Sequence, residues 1–140
     1  MASRFVTLTA GLVLLVSACA KNSNAPTTST APFSSVDLVV GTGAQAAAGN
    51  RITVSYSLFL YDSSKSDGKG NAVESSSSFP FTLGVGQVIK GWDQGIPGMR
   101  VGGQRRLIIP PELAYGNQSP SSKIPANATL LFDVGLISIP

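Results

Sequence analysis

The sequence predicts an α+β fold, an antiparallel sheet curled over one short helix. Three observations carry this. Residues Arg51 to Tyr61 alternate apolar and polar side chains at period two, the mark of a half-buried strand. A second alternating run, Thr129 to Ile139, closes the chain. Between them, Val88 to Gln94 is a helix candidate of only two turns. Many strands with a single short helix place the chain in the α+β class.

Val36 to Val40 is a short apolar strand, ended by Gly41-Thr42-Gly43, and Ala44 to Asn50 is a loop of small residues. In Arg51 to Tyr61, one face carries Ile52, Val54, Tyr56, Leu58 and Leu60, and the other Thr53, Ser55 and Ser57. Phe59 and Tyr61 break the polar face near its end. Asp62 to Asn71 is full of Ser, Asp, Lys and Gly and reads as a turn or loop. Ala72 to Ser78 is weakly patterned, and Phe79 to Leu83 reads as a strand with Phe79 and Phe81 on one side. Gly84-Val85-Gly86 ends it. The helix Val88 to Gln94 puts Val88, Ile89 and Trp92 at i, i+1 and i+4, and Gly95, Pro97 and Gly98 stop it. Gln104 to Ile109 is a strand with Leu107 and Ile109 inward, stopped by Pro110-Pro111. Glu112 to Tyr115 forms one helical turn, and Gly116 to Asn127 is a long loop. The last strand aligns Leu130, Phe132, Val134 and Leu136 on one face.

Composition removes whole classes of chemistry. The chain has no histidine, which excludes His-based general base catalysis, Ser-His-Asp triads and most zinc sites. Its single cysteine, Cys19, excludes an internal disulfide and a CxxC motif. Basic residues are scattered singly apart from Arg105-Arg106, so no stripe for nucleic acid exists. Gly41-Thr42-Gly43 lacks the third glycine and following helix of a dinucleotide loop. Asp62, Asp67 and Glu74 read as solvated charges, so no metal site and no cofactor are expected.

The N-terminus reads as an export signal. Arg4 supplies the positive start and Phe5 to Val16 a short apolar stretch, too brief to span a bilayer comfortably. Val16-Ser17-Ala18-Cys19 resembles the bacterial lipobox, in which the cysteine is lipidated after cleavage. Residues 1–18 are therefore expected to be a signal peptide. Residues 19–35, rich in Ser, Thr, Asn, Ala and Pro, are expected to be a lipidated N-terminus and flexible spacer. Two or three acyl chains on Cys19 would anchor the protein to the cell envelope, facing the periplasm or on the outer membrane.

Three segments carry a family likeness: Phe81 to Gly103 (FTLGVGQVIKGWDQGIPGMRVGG), Arg105 to Gly116 (RRLIIPPELAYG) and Ile124 to Val134 (IPANATLLFDV). Together, and at this spacing, they closely resemble the FKBP-type peptidyl-prolyl cis-trans isomerases. The resemblance covers residues 36–140 as one isomerase domain. It implies a five-stranded antiparallel sheet wrapped around the helix, with a hollow between them that takes a prolyl ring. Trp92 would form the floor. Tyr56, Phe79, Val88, Ile89, Tyr115, Ile124 and Phe132 would form the walls. The Ile89 N–H and the Tyr115 hydroxyl would bind carbonyl groups of the substrate. Partners would be proline-containing polypeptides and rapamycin-type macrolides, with no cofactor; the sequence has no long coiled-coil pattern to suggest a dimer arm, so a monomer is expected.

The chain also departs from the family pattern. Where many relatives carry Phe-Asp, the matching pair here is Val73-Glu74. The resemblance implies that Glu74 lies at the substrate site, meeting the substrate amide or Tyr56 and not acting as a general base, while the common arginine partner of the acid has no clear equivalent. Pro120 and Lys123 stand where many relatives have a histidine and an isoleucine. These changes bear on substrate preference more than on the fold. They leave one alternative open, a module that binds prolyl segments or a partner protein without turnover.

Overall fold

A computed structural model describes residues 30–140. The expected signal peptide, Cys19 and most of the expected spacer lie outside the described residues. Five strands form one antiparallel sheet: β1 (Ser34–Val39), β2 (Arg51–Tyr61), β3 (Lys69–Thr82), β4 (Gln104–Ile109) and β5 (Leu130–Ser138). Their spatial order is β1-β4-β5-β2-β3, so the longest alternating runs, β2 and β5, sit side by side near the middle. The α+β class and the five-stranded sheet are as expected.

Burial follows the alternation. Ile52, Val54 and Leu58 of β2 and Leu130, Phe132, Val134 and Leu136 of β5 all point into one core. Leu107 and Ile109 of β4 join them and are fully buried. The helix α1 (Lys90–Gly95) packs on this face. Its closeness to β4 depends on two glycines four residues apart. A Cβ on Gly91 would stand 2.5 Å from Ile109 Cγ2, and one on Gly95 would stand 2.7 Å from Leu107 Cδ2. Arg105 braces the far end of the helix. Its Nη1 donates to the carbonyls of Gly95 and Pro97 at 2.7 and 3.1 Å, and its Nε donates to Asp37 at 2.6 Å. One guanidinium thus serves the orphan carbonyls at the helix end and ties them to the edge strand β1.

Four expectations shift in detail. Strand β3 is continuous from Lys69 to Thr82, where the sequence suggested a loop, a weak stretch and a short strand. It is an edge strand that pairs with β2 alone, with register shifts in three places, so most of its side chains are wet. Helix α1 begins at Lys90 instead of Val88, because Ile89 is an extended N-cap with ψ 153°. The single turn predicted at 112–115 is a 3-10 turn at Pro111–Leu113. Strand β1 begins at Ser34, and Phe33 packs against the core, so the folded domain takes in residues assigned to the spacer.

Candidate functional site

Side chains from β2, β3, β5, α1 and the loop before α1 converge on one hollow of about 410 Å³. Trp92 lies beneath it, only 4% exposed. Tyr56 stands edge-on to Trp92, with ring centroids 5.2 Å apart, and Phe132 does the same at 5.2 Å. Phe79 closes the set at 6.0 Å from Trp92 and 5.9 Å from Tyr56. Edge-to-face packing matches the positive edge of one ring to the negative face of the next. The strand period explains the convergence. Tyr56 sits on the inward face of β2 next to Val134, and Leu58 pairs with Phe132 one step along.

Three polar side chains, Tyr56, Glu74 and Tyr115, mark the mouth. The Tyr56 hydroxyl donates to Glu74 Oε1 at 2.9 Å. Burial, then the Glu74 bond and charge, push the Tyr56 phenol up to about 12. Tyr115, 38% exposed, is raised as well, by burial first and by the Glu74 charge second. Both phenols therefore stay neutral near pH 7, able to donate a hydrogen bond. Among the described residues no cation pairs with Glu74, in keeping with the missing arginine. No group of acidic side chains among the described residues could hold a metal ion.

Of the sequence-predicted residues, Tyr56, Glu74, Phe79, Val88, Ile89, Trp92, Tyr115 and Phe132 all line this hollow. Ile124 does not. It is 5% exposed and belongs to the core behind the wall. Val73 is likewise buried in the core and does not line this hollow. Ile89 reaches the hollow as an extended N-cap and Val88 from the bend before it, both ahead of the helix, which leaves the Ile89 N–H outside the helical ladder. Sequence reasoning missed Gly86 and Gln87, which line the rim. It also gave Phe81 no role. Phe81 backs the floor, 5.4 Å from Trp92 and 5.8 Å from Phe79, and its two-residue spacing from Phe79 was the signal.

A sheet, a helix and an aromatic hollow in this arrangement have close relatives. Residues 43–137 match the family model described as FKBP-type peptidyl-prolyl cis-trans isomerase. The chain belongs to that family. FK506-binding protein 2 of Dictyostelium discoideum is 50% identical over 91 residues, a match spanning 65% of this chain and 66% of that protein. The FK506-binding protein of Neisseria meningitidis serogroup A is 44% identical over 103 residues, spanning 74% of this chain and 92% of the other. The crystal structure of AtFKBP13 superposes with a TM-score of 0.64 at 39% identity, covering 77% of this chain and 93% of that one. The FKBP-type domain here thus has the family fold, and the chain is a peptidyl-prolyl cis-trans isomerase.

Proposed function

We propose that the hollow seats the prolyl ring of an X-Pro segment over Trp92 and speeds rotation of the bond before it. One observation carries this: the rings of Tyr56, Phe79, Trp92 and Phe132 surround a single open concavity. Rotation about the imide faces a barrier of about 18–20 kcal/mol, because the planar form has partial double-bond character. Twisting removes that resonance and with it much of the charge separation between oxygen and nitrogen. The twisted form is therefore the less polar one and is favoured by an apolar, water-poor cavity. No nucleophile or base is needed, which suits a chain without histidine. The Ile89 N–H and the Tyr115 hydroxyl orient the peptide through its carbonyls. Glu74 acts through Tyr56, holding that ring upright, and is not a general base.

Exchange spectroscopy on an X-Pro peptide, with the full chain at catalytic concentration, tests the reading. Faster cis-trans exchange, lost on adding an FK506- or rapamycin-type macrolide, is the expected result. Binding of the peptide without faster exchange would instead make the domain a prolyl-binding module.

The proposed setting is the bacterial cell envelope. The lipobox-like run ending at Cys19 and the apolar stretch before it support an exported, lipid-anchored monomer that assists folding of exported proteins. No helix among the described residues is long and apolar enough to cross a membrane, so anchoring would rest on the lipid. Labelled fatty acid should enter the wild type and not Cys19→Ser. Equal labelling of both would reject the anchor.

A further inference from the structure

We propose that Asp93 is a positioning residue that sets the rim of the hollow from its floor. Asp93 follows Trp92 directly in α1. Its Oδ1 accepts the N–H of Gly84 at 2.8 Å, and its Oδ2 accepts the N–H of Gly86 at 3.0 Å. Its own N–H donates to the carbonyl of Ile89 at 3.3 Å. One residue thus grips the segment from Gly84 to Ile89 at both ends.

That segment is the rim. Gly86, Gln87, Val88 and Ile89 line the hollow in succession. Its course is not self-supporting. Gly84 and Gly86 take φ values of +82° and +80°, both glycines are exposed, and no strand or helix ladder runs through them. A glycine turn left to itself samples many conformations. The only other side chain bracing the segment is Gln87, whose Oε1 accepts the N–H of Thr82 at 2.9 Å among the described residues. A carboxylate with each oxygen filled by a backbone N–H is a charge-assisted pair, stronger than a neutral bond. It fixes the Ile89 amide relative to Trp92 before any peptide arrives. Substrate binding then orders fewer groups, which strengthens binding rather than the chemical step.

The inference rests on the prolyl-site reading, and its test separates the two. In Asp93→Asn, one acceptor oxygen remains and an NH₂ group faces the other glycine N–H. The KM for an X-Pro peptide should rise about tenfold, as expected for one lost charge-assisted bond, with kcat within about twofold. Hydrogen exchange at Gly84 and Gly86 should accelerate in the free variant while the core strands keep wild-type protection. Asp93→Glu keeps both oxygens and should fall between the wild type and Asp93→Asn in KM. An unchanged KM in Asp93→Asn, or a lowered kcat at constant KM, overturns the proposal. So does a Glu variant with KM no lower than that of Asn. Rapid exchange of both glycine amides in the wild type also overturns it, without any variant having to fold. A wild type that fails to accelerate the peptide would sink the isomerase site instead, and the exchange data would still decide the clamp.

Discussion

Phe132 and Asp133 are neighbours on β5 and face opposite surroundings. Phe132 points to the concave side, into an aromatic hollow with Tyr56 and Trp92. Asp133 points to the convex side, where Arg106 and Lys69 meet it at 2.7 and 2.9 Å. The central strands β2, β4 and β5 divide this way. Tyr56 is inward and Ser55 and Ser57 outward on β2; Leu107 is inward and Arg106 outward on β4. The concave face is held by area removed from water, and the opening left in that packing is the site. The convex face is held by ions and hydroxyls that water can reach. The same backbone ladder thus separates function from solubility by a single-residue step.

One end of the convex face breaks the rule and shows what enforces it. Leu131 points outward yet is fully buried. The turn ending at Gly68 lies against it, so that a Cβ on Gly68 would stand 3.1 Å from Leu131 Cδ1 and 3.0 Å from the Tyr61 ring. Phe59 pairs with Leu131 there and receives Lys69 Nζ 4.9 Å from its ring centroid. Where a loop covers the sheet, the outward positions turn apolar. This is why Phe59 and Tyr61 interrupt the polar face.

Substituting the two neighbours tests the division most severely. Phe132→Ala should lower stability by about 3–5 kcal/mol, as for other buried rings, and lower kcat/KM about ten- to a hundredfold in the fraction still folded. Denaturant titration and peptide exchange read the two effects. Unchanged catalysis in folded Phe132→Ala would mean that the concave rings are core only. Asp133→Asn should instead lower stability by about 1–2 kcal/mol and leave kcat/KM alone, since the pair is only partly buried.

Acid sharpens the same contrast. Burial raises the Asp133 carboxyl, but hydrogen bonds and charge from Arg106 and Lys69 outweigh it and hold it below its ordinary value. A depressed folded value means stability that is present above the unfolded value of about 4 and is lost as pH falls through the folded one. Below about pH 4, the wild type should therefore lose stability more steeply than Asp133→Asn. Parallel acid limbs in the two proteins would show that the convex cluster contributes nothing.

Legibility in the sequence followed this asymmetry. The central strands β2, β4 and β5 are buried on one face and wet on the other, so period two had to appear, and with it the inward placement of Tyr56, Leu107 and Phe132. Strand β3 pairs on one side only, and of its 14 residues only Val73 and Phe81 are buried. Little selects an alternating pattern there, and Ala72 to Ser78 reads as only weakly patterned. The rim was hidden for another reason. Gly86 and Gln87 reach the hollow through a turn whose shape is set by Asp93 nine and seven residues away from its two glycine partners, a contact with no periodic signature. Ile124 failed as a wall residue because a loop residue's facing depends on how the loop folds back, here through the Ser119 hydroxyl on the Ile124 carbonyl at 2.6 Å.

The mildest substitution acts where the two chemistries meet, at the mouth. Glu74 is exposed, yet its carboxylate holds the Tyr56 hydroxyl of the concave wall. Burial is the largest cause of the Tyr56 shift to about 12, with the Glu74 bond and charge behind it. Glu74→Gln keeps an acceptor and removes the charge. Tyr56 should then titrate below 12 but still above the ordinary 10.0 of a free phenol, because burial is untouched. Ultraviolet difference titration reads this directly. The sign on stability follows: a phenol raised on folding stabilises fully below its unfolded value and loses that contribution as pH climbs through the folded one. The variant's alkaline limb should accordingly be shallower than the wild type's. Turnover at pH 7 should change by no more than about threefold, since the catalytic cavity is apolar and the phenol stays neutral in both proteins. A loss as large as that of Phe132→Ala would move the carboxylate into the reaction itself and end the claim that the dry face works without a charged group.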